Sequence, residues 1–247
     1  MNIKEKEPTM KTETPQTHSE QVPVSTAFTF QRMSFAACII LAPLSITLYL
    51  VSWEGNQRAP LTPLITSAMA GPTGNTLHFI GAIAASFFLP LGYLGMSLLG
   101  MRRAPWLATI SAALSLLGWI PWPALMGLDA LAYDITLVGS TPQFAALWTH
   151  FNGDAVMTTY LLIYIIGHLT SAVLIGIMLG RLRLIPAWAA WAFALTSPLT
   201  ILIILIHSLV FQDVLKYLVC ALWIIGAIPA ALAMLTNKDQ AYPAPSP

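Results

Sequence analysis

The most evident feature of this sequence is how little charge it carries. Lys and Arg number 11 and Asp and Glu number 10 among 247 residues, so that charged residues make up 9% of the chain. Soluble domains carry about 25%. The net charge of +1 at neutral pH gives no basic surface for nucleic acid. This composition excludes a soluble fold and a nucleic-acid partner, and the 57% of hydrophobic residues favours a membrane protein with the lipid bilayer as its main partner.

Cysteine and the common catalytic motifs are also scarce. Cys38 and Cys220 both lie within apolar stretches, so a disulfide or a thiolate metal site would require them to meet inside the bilayer. We interpret them as buried, unreactive thiols. The sequence has no Gly-rich phosphate loop with Lys, no GxSxG, no Cys-x-x-Cys and no HExxH. It therefore predicts no cofactor and gives no enzyme signature.

Long apolar stretches take the place of these motifs. A helix of about 20 residues crosses the hydrocarbon core of a bilayer, which is about 30 Å thick. The stretches are continuously apolar, whereas the strands of a membrane β-barrel alternate apolar and polar residues. We therefore predict an all-α, integral membrane bundle of six transmembrane helices, at residues 35–53, 77–99, 106–128, 156–179, 184–206 and 214–235.

Positive charge alternates between the gaps that separate these helices. Nine of the 11 basic residues precede the first helix, follow the sixth, or lie in the short second and fourth gaps: Lys4, Lys6, Lys11, Arg32, Arg102, Arg103, Arg181, Arg183 and Lys238. Because basic residues stay on the cytoplasmic side, both termini are predicted to be cytoplasmic. Arg58 and Lys216 fall on the outer side, where the acidic residues gather: Glu54, Asp129, Asp134, Asp154 and Asp213.

This orientation divides the chain into three parts. Residues 1–32 are polar and lack apolar periodicity, which predicts a disordered cytoplasmic tail. Residues 33–236 form the six-helix domain, and residues 237–247 form a short cytoplasmic tail. The longer outer loops, 54–76 and 129–155, each have room for a short interfacial helix. Tryptophans near the predicted helix ends suggest belts at the two interfaces: Trp106, Trp188 and Trp191 inside, and Trp53, Trp119, Trp122 and Trp148 outside.

A short glycine motif recurs in the second, fourth and sixth predicted helices. It reads FIGAI at 79–83, IIGHL at 165–169 and IIGAI at 224–228. Gly with small neighbours lets another backbone approach closely, which is how helices pack in lipid. Either the likeness is a chance feature of a chain rich in small residues, or the bundle is a tripled helix hairpin. Prolines in or beside five of the helices predict kinks: Pro43, Pro90, Pro121, Pro123, Pro198 and Pro229.

Ionisable residues are nearly absent from the predicted helix interiors. No Asp, Glu, Lys or Arg lies in the middle of a predicted helix, which argues against a proton-relay pump or a voltage sensor. His168, near the middle of the fourth helix, is predicted to make a hydrogen bond to Thr170, to Ser171 or to neighbouring backbone.

The outer face holds the candidate site residues. Topology places five residues at one membrane level: His78, Asp129, His150, Asp154 and His207. Such a set could bind zinc through N and O ligands or act as acid and base on a lipid headgroup, and His78 with His207 could hold a haem. No motif fixes a ligand spacing. Polar residues that merely lie at the interface are the alternative interpretation.

Three segments carry a resemblance to known proteins. They are CIILAPL at 38–44, the pair Arg102 and Arg103, and RLRLIPAW at 181–188. The chain resembles, over most of residues 33–235, a family of uncharacterised bacterial multi-pass membrane proteins of unknown function. The resemblance implies a bacterial inner-membrane location and supplies no catalytic residues.

Three classes of function fit these features. The first is a structural or regulatory membrane protein without catalysis. The second is a carrier or channel for a small neutral or hydrophobic solute. The third is an outward-facing enzyme that depends on a metal or a haem. The sequence leaves a homo-oligomer and any protein partner open.

Overall fold

The computed structural model describes residues 26–53, 63–139, 141–206 and 209–236, and within these ranges it contains helices and no strand. The helices are α1 (Thr26–Val51), α2 (Pro63–Gly100), α3 (Pro105–Trp119), α4 (Trp122–Val138), α5 (Pro142–Asn152), α6 (Ala155–Arg181), α7 (Ala187–Leu205) and α8 (Leu209–Thr236). This confirms the all-α prediction.

Five helical segments have the length and apolarity to cross a membrane. They are Thr26–Val51, Ala70–Gly100, Pro105–Val138, Ala155–Arg181 and Val210–Thr236. The segment Ala187–Ile203 of α7 is apolar but shorter. The chain is therefore a helical protein with the character of a membrane bundle.

The helix boundaries differ from the predicted ones at the first two helices. α1 begins at Thr26, so residues 26–32 of the predicted tail are helical, whereas residues 1–25 and 237–247 lie outside the described part of the chain. α2 begins 14 residues before the predicted start and bends at Gly71, whose φ of 67° is accessible to glycine at little cost. Pro72 follows directly, at the start of the membrane-length part of the helix.

The third predicted helix also extends further and is broken. α3 ends at Trp119, and α4 resumes at Trp122 after a short turn that contains Pro121. α5 then packs against α4, where the Trp148 indole donates a hydrogen bond to the Leu128 carbonyl at 3.1 Å. Other large side chains of α5 are exposed, which suits a helix at a membrane interface: Phe144, Leu147 and Phe151. The expected short helix in loop 129–155 is thus present.

The long helices form a closed ring. Going round it, α1 packs on α2, α2 on α3, α3 on α6, α6 on α7, α7 on α8, and α8 returns to α1. α4 lies on α2 at one end of the ring. The α2/α3 and α6/α7 neighbours are the pairs that the short loops between them require.

The three recurring glycines lie where the helices of this ring are closest. A Cβ on Gly81 would be 2.5 Å from the Tyr49 amide of α1, and one on Gly226 would be 2.7 Å from the Phe193 Cβ of α7. A Cβ on Gly167 would be 2.5 Å from the Gly118 Cα of α3. Each glycine therefore faces the preceding long helix, in the hairpins α1/α2, α3/α6 and α7/α8. The close-packing role is confirmed, and the tripled hairpin stays a prediction.

Charges separate to the two ends of the ring. Arg32 Nε donates to the Met234 carbonyl at 2.8 Å, which brings the start of α1 to the end of α8. Arg103 donates to the Leu182 carbonyl at 3.4 Å, which joins the two loops that carry arginine pairs. The basic end comprises Arg32, Arg102, Arg103, Arg181 and Arg183. The acidic end, where the helices run to the opposite side, comprises Asp129, Asp134, Asp154 and Asp213.

The tryptophans follow the predicted belts only at the basic end. Trp106, Trp188 and Trp191 are exposed there, as interfacial rings would be. Trp119 and Trp122 are 2% and 3% exposed and lie in the core, so the interfacial role predicted for them is wrong. The turn at Pro121 directs this part of the chain inward between α2 and α6.

Candidate functional site

A buried hydrogen-bonded cluster joins α1, α2 and α4 near the acidic end. His78 Nδ1 is 2.9 Å from the Tyr49 carbonyl oxygen, and Nε2 is 3.3 Å from Asp129 Oδ2. The Tyr49 hydroxyl donates to the same Oδ2 at 3.1 Å. His78 is 1% exposed and Asp129 is 8% exposed. We call Tyr49, His78 and Asp129 the histidine cluster.

The chemistry of these partners places one proton between His78 and Asp129. A carbonyl oxygen only accepts hydrogen bonds, so Nδ1 carries a hydrogen. Nε2 then bonds to Oδ2 either as the donor of an imidazolium or as the acceptor of a carboxylic acid proton. Both arrangements have no net charge. The cluster is therefore an electrically balanced pair in a region where an unpaired charge would be costly.

Two further residues cover the cluster. The Trp53 ring stacks on the His78 ring, with centroids 3.7 Å apart and planes 8° apart. Its indole donates to Asn75 Oδ1 at 3.2 Å, while Asn75 Nδ2 donates to the carbonyls of Ser67 and Gly71, both at 2.7 Å. Asn75 thus ties the end of α1 to the bend in α2. Asn75 is not among the candidates predicted from the sequence, although a lone amide four residues after the Gly of a Gly-Pro pair is a recognisable signal.

The other candidates of the outer rim lie apart from this cluster. His150 is exposed in the last turn of α5, and Asp154 caps α6 by accepting from the Met157 amide at 2.8 Å. His207 lies outside the described residues. The structure therefore brings together two of the five, His78 and Asp129.

The metal and haem hypotheses gain no geometric support from the described residues. In ranges 26–53, 63–139, 141–206 and 209–236, no group of three or more His, Cys, Asp or Glu residues is arranged to hold a metal ion. Both nitrogens of His78 already have partners. A metal at His78 would have to displace Tyr49 or Asp129, so both hypotheses stay predictions.

A cavity of about 450 Å³ lies beside the histidine cluster, within the acidic half of the ring. All eight helices contribute to its wall. The exposed residues Asn152 and Leu161 also line it, so it reaches the surface beside the junction of α5 and α6. Such a volume lies in the range of small-molecule sites, about 300–1,000 Å³.

Seven aromatic side chains line this wall: Tyr49, Tyr93, Trp119, Trp122, Trp148, Tyr164 and Trp223. Trp119 lies at their centre, with ring centroids 5.6 Å from Tyr93, 5.5 Å from Tyr164 and 6.3 Å from Trp223. Tyr93 in turn packs on Phe193 at 5.4 Å, toward the basic end. These contacts close the cavity on that side. No local sequence pattern announces it, because its lining comes from eight helices.

Several polar side chains of the wall make hydrogen bonds to backbone carbonyls. His168 Nδ1 donates to the Tyr164 carbonyl, which confirms the prediction of a backbone partner for His168. Hydroxyls of α7 also donate to backbone carbonyls, Thr196 to Phe193 at 2.7 Å and Ser197 to Leu169 at 2.8 Å. These groups lie near the middle of the ring.

One Asp and one Lys also line the cavity, contrary to the prediction that no Asp, Glu, Lys or Arg lies in the middle of a helix. Asp129 in α4 and Lys216 in α8 are each 8% exposed. The predicted helices placed both residues at helix ends, but α4 continues past Asp129 and α8 begins before Lys216. Asp129 Oδ2 is 3.3 Å from His78 Nε2, and Lys216 Nζ is 3.4 Å from Asp213 Oδ1. Both side chains therefore have a partner within the protein.

These features define a helical membrane protein with an aromatic cavity between its helices. Comparisons with protein-family models, with curated proteins and with solved structures find no match to the chain. The function is therefore inferred from the cavity itself.

Proposed function

We propose that this protein is a membrane carrier for a small, neutral and mainly apolar molecule. The observation that supports the proposal is the cavity of about 450 Å³ enclosed by the helices of the ring. Helix bundles in lipid pack closely through small residues, as this one does at Gly81, Gly167 and Gly226. A purely structural bundle has no need of an internal space of ligand size, so the cavity favours the second of the three functional classes.

The composition of the wall supports a neutral ligand. Seven aromatic side chains provide apolar surface, and the lining Asp129 and Lys216 are paired with His78 and Asp213. A charged ligand would have to compete for one of these partners, whereas a neutral ligand leaves both pairs intact.

The two ends of the cavity support a carrier. The cavity reaches the surface at Asn152 and Leu161, and the packing of Tyr93 on Phe193 closes it toward the basic end. A cavity that is open to one end and closed to the other is what one state of an alternating carrier requires.

We place the ring in a bacterial cytoplasmic membrane as six spans. α7 has 19 residues, which at about 1.5 Å per residue nearly crosses a hydrocarbon core of about 30 Å. It packs between α6 and α8 and so completes the ring, which the five longer segments alone would leave open. The arginines of the basic end favour a cytoplasmic location for that end and for both termini.

A neutral quencher tests ligand binding. 1-Bromoadamantane fits the cavity and contains bromine, which quenches the four tryptophans that line it. We expect saturable quenching of the purified protein. Thr200→Phe fills the cavity and should remove the saturable component, since Thr200 lines it.

Thr170→Phe is the matched control, because Thr170 is exposed on the outer face of α6. It should bind the probe as the unmodified protein does. Linear, unsaturable quenching that is equal in all three proteins would mean that the probe only partitions into detergent, and the proposal would be wrong.

A further inference from the structure

His168 presents a hydrogen-bond acceptor to the cavity. Its Nδ1 donates to the Tyr164 carbonyl, so in the neutral ring Nε2 has a lone pair and no hydrogen. No described residue makes a hydrogen bond to Nε2. His168 is 6% exposed and lines the cavity. A ligand in the cavity that donates a hydrogen bond would give Nε2 the partner that it lacks among the described residues.

Trp119 carries a donor beside this acceptor. Its indole Nε1 is buried within the wall and has no acceptor in the described structure. Trp119 also lines the cavity, and its ring lies 5.0 Å from the His168 ring, centroid to centroid. The acceptor and the donor therefore belong to adjacent rings of the cavity wall, and a ligand has to reach between the two rings to bond both.

We infer that the carrier recognises its ligand by a hydroxyl group bound between His168 and Trp119, so that the transported molecule is a mainly apolar alcohol or phenol. A hydroxyl is a small neutral group that donates and accepts through a single atom, and it satisfies both side chains at once. An ammonium group cannot accept from Trp119, and a carboxylate or a ketone cannot donate to His168. The inference rests on the proposed function and names its class of substrate.

The hydroxyls of α7 add acceptors to the same region. Thr196 and Thr200 use their own hydrogens on the carbonyls of Phe193 and Thr196, at 2.7 and 2.8 Å. The lone pairs of their hydroxyl oxygens remain available as acceptors toward the cavity. A second hydroxyl on the ligand would therefore find an acceptor on α7.

A matched set of adamantanes tests the inference in the unmodified protein. 1-Adamantanol, 1-aminoadamantane and adamantane-1-carboxylate share one apolar body and differ in the polar group. Each competes with 1-bromoadamantane for the quenching site. Two hydrogen bonds of ordinary net strength are expected to make 1-adamantanol bind about tenfold more tightly than 1-bromoadamantane or either charged compound.

His168→Phe and Trp119→Phe locate the hydroxyl. Each keeps an aromatic ring and removes the acceptor or the donor. We expect 1-adamantanol to lose its advantage over 1-bromoadamantane when the two compounds are compared within each variant. Saturable binding of 1-bromoadamantane in the same variant shows that the cavity is intact.

The outcomes separate the two proposals. If 1-bromoadamantane binds saturably but the alcohol binds no more tightly, the hydroxyl inference is wrong and the carrier proposal stands. Tightest binding of the amine would indicate a cation site at Asp129, and tightest binding of the carboxylate an anion site at Lys216; either result overturns the inference. If none of the compounds binds saturably, the proposed function itself fails.

Discussion

At the residue scale, Asp129 is the residue on which the stability of the acidic end depends most. Its Oδ2 atom is the hydrogen-bond partner of both Tyr49 on α1 and His78 on α2. Removing this acceptor leaves two buried polar groups unsatisfied, and each costs about 1–3 kcal/mol. The cluster also forms one side of the cavity, so the same carboxylate links stability to the proposed site.

Asp129→Ala is expected to lower the free energy of unfolding by about 2 kcal/mol or more for this reason. Asp129→Asn keeps an oxygen that can accept from Tyr49 and should lose less. Asp134→Ala is the matched control, since Asp134 is exposed on the same helix. Its effect should stay within about 0.5 kcal/mol. Denaturant unfolding in detergent, followed by tryptophan fluorescence, measures all three; equal stability of Asp129→Ala and Asp134→Ala would show that the cluster does not form.

At the scale of elements, glycine determines how closely the helices approach. Gly118 on α3 and Gly167 on α6 face one another, so the two backbones are in contact at the middle of the ring. This crossing also sets the position of His168, the next residue on α6, beside Trp119, the next residue on α3. The helix contact and the proposed hydroxyl site therefore depend on the same pair of glycines.

Gly167→Ala should destabilise the protein by about 1–3 kcal/mol, because its Cβ would be 2.5 Å from the Gly118 Cα and the helices would have to move apart. Gly127→Ala is the comparison. Nothing lies within 4 Å of a Cβ at Gly127, so alanine should leave stability unchanged or raise it by up to about 1 kcal/mol. The changes in unfolding free energy caused by the two substitutions should differ in sign or clearly in size. Identical values would contradict the close crossing.

At the scale of the whole molecule, the ring is closed by the contact between its first and last helices. α8 packs on α1, and Arg32 reaches the carbonyls of Met234 and Leu235. The basic end, the acidic end and the cavity between them follow from this closure. Which of the two ends faces the cytoplasm is inferred from the positive-inside rule.

Thiol labelling tests that sidedness. In a background with Cys38→Ala and Cys220→Ala, Thr141→Cys should react with a membrane-impermeant maleimide added to intact cells, because Thr141 is exposed at the start of α5. Arg102→Cys should react only after the cells are opened. The reverse pattern would invert the orientation, and reaction of both in intact cells would contradict a single crossing direction.

The sequence by itself determined the class of this protein, because hydropathy and charge are properties of local stretches. The length of each apolar run, the alternating basic gaps and the level of His78 and Asp129 can all be counted along the chain. The extra turns of α1 and α2, in contrast, are held by tertiary contacts, from Arg32 to the end of α8 and from Trp53 to Asn75.

Only the tertiary structure decided which way each helix faces. The sequence predicts that Trp119 lies at the membrane interface, yet in the helical bundle it points inward and packs against His168. Asp129 and Lys216 read as residues of helix ends, yet both line the cavity. The rotation of a helix about its own axis is set by its neighbours, and these lie far away in the chain. The cavity, which needs all eight helices, therefore could not be predicted from any one segment.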